Sequence, residues 1–133
     1  MRESRADSAF GVITRPVQKP VPPGPLVERP VNTAPLQSFV DAGDAAVGAT
    51  VLSEGLMEYE VWADPEPDSG PRIALTLLRC VGWLSRDDLV TRRGHAGPGY
   101  ETPGAQGLGV HDFRFAFVPR AEPPPEHRRR LER

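Results

Sequence analysis

The residues best suited to chemistry lie in one glycine-rich stretch, Ser85 to Gly109, where polar and apolar residues do not alternate. Loops longer than about 12–15 residues inside a domain are usually functional or disordered. This loop contains the polar residues Arg86, Asp87, Asp88, Arg92, Arg93, His95, Glu101 and Gln106. Such groups can bridge neighbouring sugar hydroxyls, and the rings of Trp83 and Tyr100 can cover the C–H face of a sugar. The loop is either a carbohydrate contact or a surface loop whose charges satisfy one another.

These residues do not form a recognisable catalytic set. A glycosidase needs two carboxyl groups about 5–9.5 Å apart across one bond, whereas Asp87 and Asp88 are adjacent and point to opposite sides of an extended chain. Zinc needs three or four converging ligands, but the three histidines are scattered along the chain. No sequence order around Ser85 suggests a Ser–His–Asp triad. We therefore predict no catalytic residue, no metal site and no cofactor in this chain.

Arg79 is a separate candidate, because it interrupts the long apolar run from Arg72 to Leu84. Both faces of that run are mostly apolar, which is typical of a central strand covered on two sides. A buried arginine must be paired. We expect Arg79 either to complete a structural ion pair or to point into a site shared with another domain. Cys80, in the same run, is expected to be a small buried residue.

Composition limits the class of protein. The chain has 133 residues, enough for one domain, and 16 of them are proline, well above the usual share of about 5%. This composition excludes a helical bundle, a coiled coil and collagen. A net charge of −2 argues against nucleic-acid binding, and no apolar stretch approaches the ~20 residues of a membrane span. Without an apolar N-terminal leader, a cytoplasmic protein is expected.

Short runs with period-two alternation or β-branched and aromatic residues predict strands at 10–14, 36–42, 47–53, 57–61 and 113–117, besides the run at 72–84. Phe113, Phe115 and Phe117 are expected to form one inward aromatic face. The composition of the segment 64–71 predicts a loop. We predict an all-β fold, an antiparallel β-sandwich.

Three regions are expected along the chain. Residues 1–35 contain a cluster of prolines, which fix φ and remove hydrogen-bond donors, so they should form an extended arm with a short edge strand. Residues 36–118 should form the sandwich. Residues 119–133, with three consecutive prolines and an arginine-rich end, should be a disordered tail.

The run Thr76–Pro98, followed by Thr102–Gln106, resembles the C-terminal β-domain of bacterial glycoside hydrolase family 38 enzymes, which are α-mannosidases and mannosylglycerate hydrolases. Ala34–Asp41, Gly55–Glu60 and Phe113–Phe117 resemble the same family. The resemblance implies a galactose-mutarotase-like sandwich that is one part of a larger enzyme, and it leaves open whether all strands of that sandwich are present.

The resemblance also implies a division of labour. In the family a separate catalytic domain supplies an aspartate nucleophile and a zinc ion, and this chain has no counterpart of either. The chain alone is therefore expected to be inactive, with a catalytic domain or subunit and carbohydrate as partners and α-mannoside hydrolysis in mannose metabolism as the setting. Arg79 and the loop residues from Arg86 to His95 are expected to contact sugar or the catalytic domain. The alternatives are a stand-alone carbohydrate-binding module and a non-functional truncated gene product.

Overall fold

The computed structural model describes residues 3–17, 19, 21, 23–24, 28–43, 47–62 and 72–121. The strands are β1 (Glu3–Ser8), β2 (Gly11–Pro16), β3 (Ala34–Pro35), β4 (Phe39–Gly43), β5 (Gly48–Glu54), β6 (Glu58–Trp62), β7 (Arg72–Leu75) and β8 (Arg114–Arg120). A 3-10 helix spans Pro103–Gln106. All named strand pairs are antiparallel, which confirms the predicted all-β class.

The chain divides into two compact units. The first, called here the sandwich unit, comprises residues 1–18, 32–76 and 112–133 and contains every named strand. The second, the loop unit, comprises residues 19–31 and 77–111.

The sandwich unit consists of two facing sheets, with strand orders β2-β1-β4-β5-β8 and β3-β6-β7. Ala6 pairs with Val40, and Val40 pairs with Val51, so these side chains form one row across β1, β4 and β5. They are 0%, 0% and 7% exposed. Tyr59 and Val61 of β6 join the same core. Period-two alternation places these apolar side chains on the inner faces, and the predicted β-sandwich is confirmed.

At the edge of the larger sheet this row continues onto β8, where Phe117 pairs with Val51. The strand predicted at 113–117 is present as β8. The prediction that its aromatic face is buried is wrong, because Phe115 and Phe117 are 59% and 64% exposed. An open depression of about 300 Å³ lies beside Phe117, next to Val51 and Ile73. The smaller sheet thus buries the row at β1, β4 and β5 and leaves its continuation on β8 uncovered.

A largely buried ion pair connects β8 to β4 across β5. Arg120 Nη2 donates to Asp41 Oδ1 at 3.0 Å, and Thr50 Oγ1 donates to Asp41 Oδ2 at 2.6 Å. Position 48 favours glycine, because a Cβ there would lie 2.9 Å from the Ala42 carbonyl oxygen and 2.7 Å from Arg120 Cζ. The absent side chain leaves the space through which Arg120 reaches Asp41.

The N-terminal region differs in one respect from the expected picture. β2 lies at the edge of the larger sheet and pairs with β1, a strand that the sequence analysis did not predict. In β1 the inward residues are small, Ser4 and Ala6, so its alternation carries little apolar signal. The proposed division at residues 35 and 118 remains a prediction. The predicted loop at 64–71 and residues 122–133 of the predicted tail lie outside the described residues.

The long strand predicted at 72–84 is wrong. β7 ends at Leu75, and the chain enters the loop unit at Leu77. Cys80 is exposed rather than buried, and Arg79 is exposed as well. A run that is apolar on both faces predicts that something covers it, whereas Leu77, Val81 and Leu84 are exposed.

Candidate functional site

The loop unit is built from short antiparallel contacts instead of full strands. Trp83 forms a bridge with Glu101. The Leu84 amide donates to the Tyr100 carbonyl at 2.8 Å, and the Thr102 amide donates to the Gly82 carbonyl at 2.9 Å. These bonds align residues 82–84 with 100–102 and fix the base of the glycine-rich loop.

A tighter turn lies within that loop. Asp88 forms a bridge with Arg93, and the Gly94 amide donates to the Asp87 carbonyl at 3.2 Å. Gly94 has φ +82°, a value that favours glycine. The segment 28–29 runs beside this turn, because the Arg29 amide donates to the Thr91 carbonyl at 2.7 Å.

These contacts enclose an open depression of about 680 Å³, which is in the size range of small-molecule pockets. The lining residues are Arg29, Asp88, Leu89, Val90, Thr91, Arg92 and Arg93. The lining thus contains three arginines and one acidic residue. The Nε atom of Arg92 is buried and has no hydrogen-bond partner among the residues that the structure describes.

The carboxylate of Asp88 is already engaged by Arg86. Arg86 Nε donates to Asp88 Oδ1 at 2.7 Å, and Arg86 Nη2 contacts Asp88 Oδ2. The hydrogen bond from Arg86 holds the pKa of Asp88 below its usual value, and the charges of Arg86 and Arg93 act in the same direction. The same hydrogen bond raises the pKa of Arg86. This forked pair keeps Asp88 ionised and satisfied from one side.

Asp87 and His95 belong to a different cluster, centred on Ser85. Ser85 Oγ lies 3.4 Å from His95 Nδ1, and His95 Nε2 lies 3.9 Å from Asp87 Oδ2. No local sequence pattern predicts that these three residues come together.

This arrangement holds the loop in place, and we call it the Ser85 lock. It is not a hydrolase triad. In a triad the carboxylate orients Nδ1 and the serine approaches Nε2, whereas here the two nitrogens have the opposite partners. Ser85 is 8% exposed, and its Oγ accepts hydrogen bonds from the Ala96 and Gly97 amides at 3.0 and 3.2 Å. The two amides donate to the serine hydroxyl itself, whereas in a hydrolase they would donate to an oxyanion beside it. Ser85 thus connects the two ends of the segment 85–97 by hydrogen bonds.

Apolar side chains of the loop unit are widely exposed. Val110, Leu108 and Val90 are 95%, 93% and 92% exposed, and Leu84, Leu77 and Trp83 are 63%, 46% and 41% exposed. Among the described residues of this unit, only Ser85 is buried. The described residues of the loop unit therefore form no apolar core of their own, and large exposed apolar areas mark interaction surfaces.

The structure therefore separates the predicted site residues. Asp88, Arg92 and Arg93 line the depression, with Arg86 bound to Asp88, while Asp87 and His95 belong to the Ser85 cluster. Arg79 lies in the apolar segment, and its carbonyl accepts a hydrogen bond from the Val81 amide at 3.0 Å. Sequence reasoning missed Arg29, because it stands in the proline-rich region and no local pattern pairs it with Thr91.

Metal-binding clusters and membrane-spanning helices are absent from the described residues. No group of three or more His, Cys, Asp or Glu side chains there is placed to hold a metal ion. No helix in the same part of the chain has the length and apolar character needed to cross a membrane.

Comparison with known proteins identifies similar segments in much larger chains. No family model matches. A protein named as a mannosylglycerate hydrolase, from Halalkalibacterium halodurans, is 32% identical over 114 residues, which cover 86% of this chain and 10% of that protein. An α-mannosidase from Enterococcus faecalis V583 matches with a TM-score of 0.64 and 33% identity. A glycosyl hydrolase family 38 protein from Enterococcus faecalis matches with a TM-score of 0.65 and 34% identity. The match to each of these two solved structures covers 96% of this chain and 12% of the matched chain. This chain therefore spans about a tenth of the length of its relatives.

Proposed function

Because the chain belongs to glycoside hydrolase family 38 as one β-domain segment, we propose that it supports an α-mannosidase whose catalytic residues lie outside these 133 residues. The β-domain packs against the catalytic portion, which hydrolyses α-mannosides in the cytoplasm as part of mannose metabolism. The chain by itself is inactive.

The apolar surface of the loop unit carries this proposal. Burial stabilises by roughly 25 cal/mol per Å² of apolar surface, and a unit that leaves Leu108, Val110 and Leu84 in water gains little of this by itself. Such a surface gains that free energy when another part of the enzyme covers it. The solved family members are long enough to provide that cover, since the matched segment is 12% of their chain.

The exposed side of β8 supports a second contact with the rest of the enzyme. Phe117 continues the buried row of Val40 and Val51 but is 64% exposed. An apolar segment that covers Phe117 and fills the depression beside it would complete the sandwich core. Within the proposal, this segment also comes from the rest of the enzyme.

The polar loop has the recognition role in this scheme. Arg86, Arg92 and Arg93 form or border an open depression, and Asp87 and His95 hold the neighbouring turn. We assign to this loop the contact with the sugar or with the catalytic portion. Arg79 is assigned to the contact with the catalytic portion, because it stands in the exposed apolar segment.

A chimera tests the proposal. In the Enterococcus faecalis α-mannosidase, the matching segment is replaced by this chain, and hydrolysis of an aryl α-mannoside is measured beside a variant that lacks the segment. We expect activity in the chimera and none in the deletion. Leu84→Asp should abolish activity in the chimera. Met57→Asp, at a side chain equally exposed (64%) in the sandwich unit, serves as the matched control and should retain it.

Two results would contradict the proposal. One is a folded chimera that is as inactive as the deletion variant. The other is α-mannoside hydrolysis by the purified chain without any catalytic portion.

A stand-alone carbohydrate-binding module is the second candidate. The rings of Tyr100 and Trp83 are 67% and 41% exposed and lie on the paired segments 82–84 and 100–102. Titration of the chain with methyl α-mannoside, followed by tryptophan fluorescence, should then saturate, and Tyr100→Ala should weaken it. A linear response up to high millimolar sugar removes this candidate.

A further inference from the structure

We propose that the depression lined by Arg29, Arg92 and Arg93 binds the oxyanion group, carboxylate or phosphate, of a small ligand. The binding site itself stands on the geometry of the loop unit. Its assignment to a substrate of the enzyme rests on the proposed function.

Backbone contacts build the depression and fix the three arginines around it. The bridge between Asp88 and Arg93 closes the turn at one side, and the bridge between Glu28 and Arg92 brings the segment 28–29 alongside. The 2.7 Å bond from the Arg29 amide to the Thr91 carbonyl sets where that arginine enters. Residues more than fifty positions apart in sequence thus converge on one cavity.

The charges of the lining residues are unbalanced. Three arginines and one acidic residue, Asp88, line the cavity, and Arg86 already engages the Asp88 carboxylate through both oxygens. The Nε atom of Arg92 is buried, and no hydrogen-bond acceptor contacts it in the described part of the chain. A buried donor without an acceptor is costly, so the described residues leave the hydrogen bonds of the Arg92 guanidinium incomplete.

Guanidinium chemistry selects the ligand class. Its planar, forked donors match carboxylate and phosphate oxygens and bind them in pairs. A neutral sugar would leave the positive charge unbalanced, and a cation would be repelled. The cavity is concave and of small-molecule size, and its wall includes Leu89 and Val90, which can contact the hydrocarbon part of the ligand. These features favour a small molecule that carries a carboxylate or phosphate group.

The test is a titration of the full chain followed by ¹H–¹⁵N spectra, with ionic strength held constant by sodium chloride. D-glycerate and inorganic phosphate are the two oxyanion probes, and methyl α-mannoside is the neutral probe. We expect saturating shifts confined to residues 28–29 and 87–94 with at least one oxyanion and none with the neutral sugar. The stronger of the two responses identifies carboxylate or phosphate as the ligand group.

Matched arginine variants sharpen the result. Arg92→Gln and Arg29→Gln should each weaken binding about tenfold or more, the expected loss for one charge-assisted hydrogen bond. Arg114→Gln is the control, since Arg114 is an exposed arginine of the sandwich unit that faces Glu54 at 3.7 Å. It should leave the affinity unchanged.

A second measurement keeps the test decisive if the isolated chain gives a poorly dispersed spectrum. In the chimera, glycerate or phosphate should protect Arg92 from modification by phenylglyoxal, as read by mass spectrometry. Absence of both a saturating shift and protection overturns the proposal. So does a result in which the variants loosen the catalytic portion without any response to the oxyanions, because the arginines then form a docking surface.

The two proposals fail separately. An active chimera without oxyanion binding refutes the subsite and leaves the β-domain role intact. Oxyanion binding in a chain whose chimera is inactive refutes the β-domain role and leaves the binding site intact.

Discussion

Different interactions stabilise the sandwich unit and the loop unit internally. The sandwich unit buries Leu36, Val40 and Tyr59 almost completely between two sheets. The loop unit buries only Ser85 among its described residues and is ordered by backbone and hydroxyl hydrogen bonds. A net hydrogen bond contributes only about 0.5–1.5 kcal/mol, less than a buried large side chain. The sandwich unit can therefore stabilise itself, whereas the loop unit depends on a surface that covers it.

The largest expected effect compares one residue type in the two units. Tyr59→Ala removes a side chain that is 1% exposed and should lower the free energy of unfolding by about 3–5 kcal/mol, as for other large aromatic truncations. Tyr100→Ala removes one that is 67% exposed and should change it by less than about 0.5 kcal/mol. Urea unfolding of the chain measures both. Equal losses would mean that the loop unit has a core of its own.

A second pair of variants compares buried and exposed charge in the sandwich unit. Arg120→Met removes the guanidinium that faces the buried Asp41 at 3.0 Å, and breaking such a pair should cost about 3 kcal/mol. Arg114→Met breaks the exposed 3.7 Å pair with Glu54, which should cost less than about 1 kcal/mol. Urea midpoints at pH 7 give the comparison. Similar midpoints for the two variants would show that the Asp41 pair contributes little to the core.

The third prediction concerns the Ser85 lock. Ser85→Ala removes the acceptor for the Ala96 and Gly97 amides, so their hydrogen exchange should accelerate about tenfold, the effect of about 1.4 kcal/mol of local stability. Exchange in the β-sheets should be unchanged. Ser53→Ala is the control, because Ser53 Oγ accepts from the Leu56 amide at 3.2 Å in the sandwich unit and its loss should affect only that turn. Uniform acceleration across the chain in Ser85→Ala would contradict the separation of the two units.

The same contrast explains how much the sequence could predict. Alternation located β5, β6 and β8, because their inward positions carry apolar residues. It missed β1, where those positions are Ser4 and Ala6, and it extended β7 to Leu84, because an apolar run does not reveal which molecule covers it. The cluster at Asp88, Arg92 and Arg93 was predictable from its local sequence. Arg29 was not, because its pairing with Thr91 is a long-range backbone contact.

The smallest expected effect is a pH dependence that again compares the units. In the sandwich unit, Asp7 accepts hydrogen bonds from the amides of Gln37, Ser38 and Phe39 at 3.0, 2.9 and 3.0 Å. Burial alone would raise the pKa of Asp7, but the hydrogen bonds from the Ser38 hydroxyl and these amides outweigh it and lower that pKa. The stabilisation is therefore present above the unfolded pKa of about 4 and is lost as the pH falls through the lowered folded value.

Asp7→Asn should accordingly lower the melting temperature by a few degrees at pH 7, and the difference should vanish in strong acid, where both side chains are neutral. Asp88→Asn is the matched variant in the loop unit, because the pKa of Asp88 is also lowered, there by Arg86. It should leave the cooperative melt of the sheets unchanged at every pH, since that pair is exposed and belongs to a unit without a core. An equal, pH-dependent shift in both variants would mean that the two units unfold as one, and the loop unit would then not need cover from the rest of the enzyme.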